Sequence, residues 1–141
     1  MQTSARNQFA GEVTEVKDGA VNDEVTLRTE QGLTIIAVIT HGSAASLGLV
    51  AGRKAFALIK ASSVILMVDV ATSQVSARNC IAGTVSAVTK GAVNSEVIVS
   101  AGSAQIAAII TNESVDRLGL ASGKAAMAIF KASSVIIGVD D

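Results

Sequence analysis

Leu33-Thr34-Ile35-Ile36-Ala37-Val38-Ile39-Thr40 is an unbroken, largely β-branched run. Past His41-Gly42 it gives way to Ser43-Ala44-Ala45-Ser46-Leu47-Gly48-Leu49. The first half reads as a strand buried on both faces or nearly so. The second half, with an N-cap serine, alanines and a glycine near its end, reads as one or two helical turns. Upstream, residues 9–16 (FAGEVTEV) alternate in part, Lys17-Asp18-Gly19 is turn chemistry, and Glu24–Arg28 alternates cleanly as a half-buried strand. Glu30-Gln31-Gly32 makes the hairpin turn into Leu33. Downstream, Gly52-Arg53-Lys54 is a turn, and Lys54–Lys60 and Val64–Val70 are two final strands separated by Ala61-Ser62-Ser63. Three strands, a short helix and two more strands is the order of an OB-type five-stranded Greek-key barrel. An SH3-like barrel or an open sandwich has a similar strand count and stays open at this point.

The same order then returns. Pairing residues 4–27 with 76–99, and 35–70 with 106–141, leaves more than half of the aligned positions identical. Strands are expected near 81–88, 96–100, 104–111, 125–131 and 135–140, with a short helix at 114–120. The chain is therefore read as all-β with short helices, built as two tandem OB-like domains at 1–70 and 76–141 with a linker at 71–75. The agreement is best where the copies are polar. Ser4-Ala5-Arg6-Asn7 recurs as Ser76-Ala77-Arg78-Asn79, and Lys60-Ala61-Ser62-Ser63-Val64 as Lys131-Ala132-Ser133-Ser134-Val135. A duplicated fold needs only its apolar pattern kept. Keeping a basic residue beside hydroxyls at both ends of each copy points to a duplicated binding site.

Composition narrows the classes. Half of the 141 residues are apolar but only Phe9, Phe56 and Phe130 are aromatic, so the core is thin and built from Ala, Val and Ile. Small domains with such cores gain stability by burying surface against other domains or subunits, so a homo-oligomer is expected. The net charge of −1 and the absence of Trp and Tyr leave neither the basic groove nor the stacking platform of a nucleic-acid-binding OB fold. No stretch is long and apolar enough to span a membrane, and Met1–Gly11 has no apolar signal core. A cytoplasmic location is the expectation. Cys80 is alone and His41 has Asn112 as its counterpart, so neither a zinc site nor a Ser-His-Asp triad can be assembled within one chain. Gly119–Lys124 differs from a phosphate loop in spacing, and Ala125 stands where that loop needs Ser or Thr. Nothing points to an enzyme.

The repeated polar residues have a common chemistry. Arg6 offers a fork of donors, Ser4 and Ser62 hydroxyls, and Lys60 a cation; Thr40 and Ser43 stand at the helix start. The second copy supplies Ser76, Arg78, Thr111, Ser114, Lys131 and Ser133. No Asp or Glu falls within these short segments. Donors without acceptors suit a fully ionised oxyanion, which a neighbouring carboxylate would repel. The competing reading makes the cations solvated or ion-paired and the serines caps and turns.

These segments carry a resemblance. Ser-Ala-Arg-Asn at a domain start, Ile-Thr-x-x-Ser ahead of Leu-Gly-Leu, and a strand ending Lys-Ala-Ser-Ser-Val resemble the Mop, or molbindin, family in its tandem form, over Thr3–Val70 and Val75–Asp140. The resemblance implies OB-like folding, molybdate binding with tungstate as the analogue, storage and homeostasis of molybdenum in the cytoplasm, and homotrimers with sites between domains. Its matching positions are Ser4, Arg6, Thr40, Ser43, Lys60, Ala61 and Ser62, then Ser76, Arg78, Thr111, Ser114, Lys131, Ala132 and Ser133. No helix-turn-helix segment precedes Thr3 in this sequence, which favours storage over transcription control. The resemblance also implies a second class of site, for which the candidates are Gly19-Ala20-Val21-Asn22 and Gly91-Ala92-Val93-Asn94, repeated turns whose N–H groups could form an anion nest; the alternative is a plain hairpin turn in which Asn tolerates positive φ. The alternatives are an OB-type oligomerisation module and a binder of another oxyanion such as sulfate.

Overall fold

A computed structural model describes residues 2–141. Among them the chain forms two five-stranded antiparallel sheets and two short α-helices. Strands β1 (Asn7–Lys17), β2 (Asn22–Thr29) and β3 (Thr34–Thr40) are followed by α1 (His41–Ser46), β4 (Lys54–Ile59) and β5 (Ile65–Met67). The second copy gives β6 (Asn79–Lys90), β7 (Asn94–Ala101), β8 (Ala104–Thr111), α2 (Asn112–Leu118), β9 (Ala125–Phe130) and β10 (Ile136–Gly138). Every expected element is present. The helices start earlier than the serines suggested, because the caps are Thr40 and Thr111, whose side-chain oxygens accept from the Ser43 and Ser114 backbone N–H groups.

The compact units are drawn differently from the sequence repeats. One runs to Ile59 and adds Lys131–Asp141; the other is Lys60–Phe130. The first sheet is ordered β10-β4-β1-β2-β3 and the second β5-β9-β6-β7-β8. Each sheet thus takes its fifth strand from the other repeat: Leu58 faces Ile136 across β4–β10, and Leu66 faces Ala128 across β5–β9. The segments 60–67 and 131–138 are nearly alike in sequence, so sequence does not mark which sheet each completes. Val64, Leu66, Val135 and Ile137 are buried, while Ile65 and Ile136 face outward.

Each sheet curls for a local reason. β1 pairs with β4 through its first half and with β2 through its second, with a bulge between Val13 and Glu15; β6 repeats this with a bulge between Val85 and Ala87. Bulges bend and twist a strand. At the handover stand Gly11 and Gly83, where a Cβ would lie 2.2 Å from the Arg28 carbonyl oxygen and 2.4 Å from that of Ser100. Only glycine allows the backbones to come this close. The curl brings β10 near β3 within the first unit, which closes the sheet towards a barrel.

The core of the first unit is built from Phe9, Val13, Val25, Leu27, Ile35 and Ala57, and that of the second from Val85, Val97, Val99, Ile106, Ala128 and Phe130. The thin core expected from composition is present, with one correction. Phe56 is only half-buried, and its ring lies over Gly138 so closely that a Cβ there would be 2.3 Å from it. The segment between the repeats holds a short 3-10 turn, Thr72–Gln74, in which the Gln74 side chain accepts from the Ala71 N–H at 2.7 Å.

Candidate anion-binding site

The Ser-Ala-Arg-Asn motif divides its work. Asn7 and Asn79 are buried, and the Asn7 amide donates to the Ile59 carbonyl at 3.2 Å, which ties the start of β1 to the end of β4. Ser4, Arg6, Ser76 and Arg78 are exposed just ahead of these anchors. The asparagine is therefore structural, and the serine and arginine are presented by it.

Lys60 and Lys131 stand at the ends of β4 and β9, where their backbone carbonyls accept from Ser63 and Ser134 at 2.9 Å and close the 3-10 turns 61–63 and 132–134. Ala61 and Ala132 are buried and anchor these turns, while Ser62 and Ser133 are exposed. Among the described residues neither lysine is in an ion pair. Both ammonium groups thus remain available to an anion.

The helix starts match in detail. Thr40 donates to the Ser43 hydroxyl at 2.8 Å while accepting from the Ser43 N–H at 3.0 Å. Thr111 does the same with Ser114 at 2.9 and 3.1 Å. One hydroxyl proton is used within each pair, and the other is left to donate elsewhere. At six and seven residues, the helices offer local donors more than a macrodipole.

The exchange of strands reassorts these groups. Ser4, Arg6, Thr40 and Ser43 share a unit with Lys131, Ala132 and Ser133, and the 132–134 turn packs against β3, the strand that ends at Thr40. Ser76, Arg78, Thr111 and Ser114 share theirs with Lys60, Ala61 and Ser62, whose turn packs against β8. Each unit holds a full set of residue types, drawn from both repeats. The sequence pattern groups them by repeat, and the identical Lys-Ala-Ser-Ser segments carry no mark of which set they join.

The turns 19–22 and 91–94 are exposed. None of their residues has positive φ, so the alternating handedness of one kind of nest is absent. The Gly19 N–H is directed at the Asp23 carboxylate at 3.0 Å and the Gly91 N–H at the Asn94 carbonyl at 2.8 Å.

One pair of polar residues escaped the sequence reading. Asp23 is buried, and both its carboxylate oxygens lie 2.9–3.0 Å from Nδ1 of the half-exposed His41. The Gly19 N–H, and after it the imidazole, hold the Asp23 pKa below its ordinary value; the hydrogen bond and charge of Asp23 raise that of His41. With Asp18 these groups form a carboxylate–imidazole cluster. In the second repeat Ser95 replaces Asp23 and donates to Oδ1 of Asn112, which replaces His41; the Asn112 amide in turn donates to the Gly91 carbonyl at 2.9 Å. The signal lay in the paired change: Asp23 and His41 differ together from their counterparts.

Comparison with known proteins places these features. The TOBE domain pattern matches twice, at residues 3–66 and 75–137. The chain belongs to the TOBE-domain family. It is 47% identical to the molybdenum-pterin-binding protein MopA of Rhodobacter capsulatus and 44% identical to the molybdenum transport protein ModE of Herbaspirillum seropedicae. Each alignment takes in 99% of this chain, which spans 53% and 52% of those relatives. The chain is thus about half the length of the curated relatives it matches. Among solved structures it resembles the cytoplasmic molybdate-binding protein ModG, crystallised with molybdate bound. The two share 45% sequence identity, with a TM-score of 0.94 over 99% of this TOBE chain and 100% of ModG. The two tandem OB-like domains expected from the sequence are the fold of this family member. Among the described residues no helix is long and apolar enough to cross a membrane.

Proposed function

We propose that this chain binds molybdate, with tungstate as its analogue, and serves to store and buffer molybdenum in the cytoplasm without catalysing a reaction. The observation that carries this reading is the duplicated donor set: in each unit an exposed serine and arginine, a Thr–Ser pair with a hydroxyl proton to spare, and an unpaired lysine beside an exposed serine. A tetrahedral dianion is recognised by converging donors of this kind. The full-length likeness to molybdate-bound ModG supports the choice of anion. The binding residues are Ser4, Arg6, Thr40, Ser43, Lys60, Ala61 and Ser62 with their counterparts Ser76, Arg78, Thr111, Ser114, Lys131, Ala132 and Ser133. Ala61 and Ala132 act through the backbone of their turns. The remaining N–H groups of the 19–22 and 91–94 turns form a second, weaker class of site.

The chain works as a homotrimer. Val21 and Val93, at the tips of matching turns, are 74% and 70% exposed, and Ile65 and Ile136, on matching strands, are 56% and 59% exposed. Single exposed apolar residues are ordinary, but exposure of the same positions in both repeats supports association through them. Isothermal titration tests the function: molybdate and tungstate bind, and sulfate binds far more weakly because it is smaller. Equal affinity for sulfate would make this a general oxyanion binder and remove the molybdate assignment.

A further inference from the structure

The two repeats differ most pointedly beside a binding group they otherwise share. His41 immediately follows Thr40, and Asn112 follows Thr111; their backbone N–H groups donate alike to the Val21 and Val93 carbonyls, at 2.9 and 2.8 Å. On this common strap the first repeat adds an ionisable pair, the buried Asp23 carboxylate against the His41 imidazole, with the Gly19 N–H also on Asp23. The second repeat adds a neutral one, Ser95 to Asn112 and Asn112 to Gly91. The counterpart of Asp18 is Lys90, which is turned to Asp116, so all three members of the ionisable cluster are absent from the second copy.

We propose that His41 makes anion binding in the first unit proton-coupled, whereas binding in the second unit is indifferent to pH. This rests on the reading of the Thr40–Ser43 group as donors to the oxygens of an oxyanion. The carboxylates facing His41 are Asp23 and Asp18; α1 has no charged residue besides His41 and β3 has none, while on β2 Glu24 alternates to the face opposite Asp23 and Arg28 lies at the far end, opposite Thr34. With His41 protonated, the Asp23 charge is compensated. Once His41 loses its proton, the buried Asp23 charge is left uncompensated next to the strap that carries Thr40. Affinity in the first unit therefore falls as pH rises, by about three- to tenfold. Two copies of one site would then respond differently to the same medium, one graded by pH and one constant.

Two measurements on the full chain test this. His41 is the sole histidine, so its imidazole proton signals can be followed by NMR without ambiguity. Saturating molybdate must raise its pKa, because coupling between proton and anion is reciprocal. An unmoved His41 titration would overturn the proposal whatever the variants do. In titration calorimetry from pH 6.5 to 9, where molybdate itself stays fully ionised, the wild type loses affinity at one class of site. The D23S/H41N variant, which copies the second repeat, shows flat profiles, and S95D/N112H extends the loss to both classes. A wild-type profile that survives D23S/H41N would also overturn it, with the molybdate assignment left standing. No molybdate binding in the wild type at any pH would instead remove the proposed function, and this coupling with it.

Discussion

At the scale of single residues, the repeated glycines and threonines have separable roles. Gly11 and Gly83 sit where the first strand of each repeat changes partners, and a methyl group there meets a backbone carbonyl that cannot swing aside. Gly11→Ala should cost about 1–3 kcal/mol, as overpacking does, seen as a lower urea midpoint with molybdate affinity changed little. Thr40→Ala removes a cap and should cost about 1 kcal/mol, and it also frees Ser43, so affinity should fall with stability. Arg6→Ala and Arg78→Ala should instead leave the protein folded, since both positions precede a strand, and weaken binding by about ten- to hundredfold, the worth of a charged hydrogen bond. Unaltered affinity in the double variant would remove the arginines from the site. The Asp23–His41 pair gives stability a pH signature. Asp23 has a lowered pKa, so its share is present above 3.8 and lost as pH falls through its folded value; His41 has a raised pKa, so its share is full below 6.5 and lost as pH rises through its folded value. H41N should abolish the alkaline loss in thermal melts of the anion-free protein.

Among elements, what could be read from sequence depended on whether the signal was local. The alternation of Glu24–Arg28, the β-branched run before Thr40 and the Lys-Ala-Ser-Ser turns each encode their own conformation, and strands and helices stand where those patterns put them. The destination of β5 and β10 is not a local property. The two segments match at Lys-Ala-Ser-Ser-Val-Ile and bury equivalent residues, so no difference in pattern or propensity could assign them to sheets. The same degeneracy hid which Lys-Ala-Ser segment joins Thr40. Asp23 was hidden for another reason: a short acidic residue beside a turn reads as solvated until a partner some way along the chain is brought over it. The exchange of strands makes a prediction. Leu66→Ala, a deletion from a buried site worth about 2–5 kcal/mol, should reduce hydrogen-exchange protection in β9 while β4 of its own repeat stays protected; loss in β4 instead would contradict the pairing.

For the whole molecule, the thin Ala- and Val-rich core and the twice-exposed Val21/Val93 and Ile65/Ile136 positions are the features on which the proposed assembly rests. A ligand bound only by the folded state adds RT ln(1 + [L]/Kd), about 2.7 kcal/mol at a hundred times Kd. Melting temperature should therefore rise with molybdate. Sedimentation equilibrium should give a trimer, and a monomer that binds molybdate at full stoichiometry would place every site within one chain.

The exchanged strands also set a clock for biosynthesis. β1 to β4 are complete once Ile59 has left the ribosome, yet the free edge of β4 has to wait for residues 136–138 to emerge. Domains that close on their own residues can finish folding in turn during translation; here the first-made strands stay open along one side while the whole second repeat is being added. For that interval an unpaired strand edge is exposed to neighbouring nascent chains, and the same KASSVI segment on one of them could dock there.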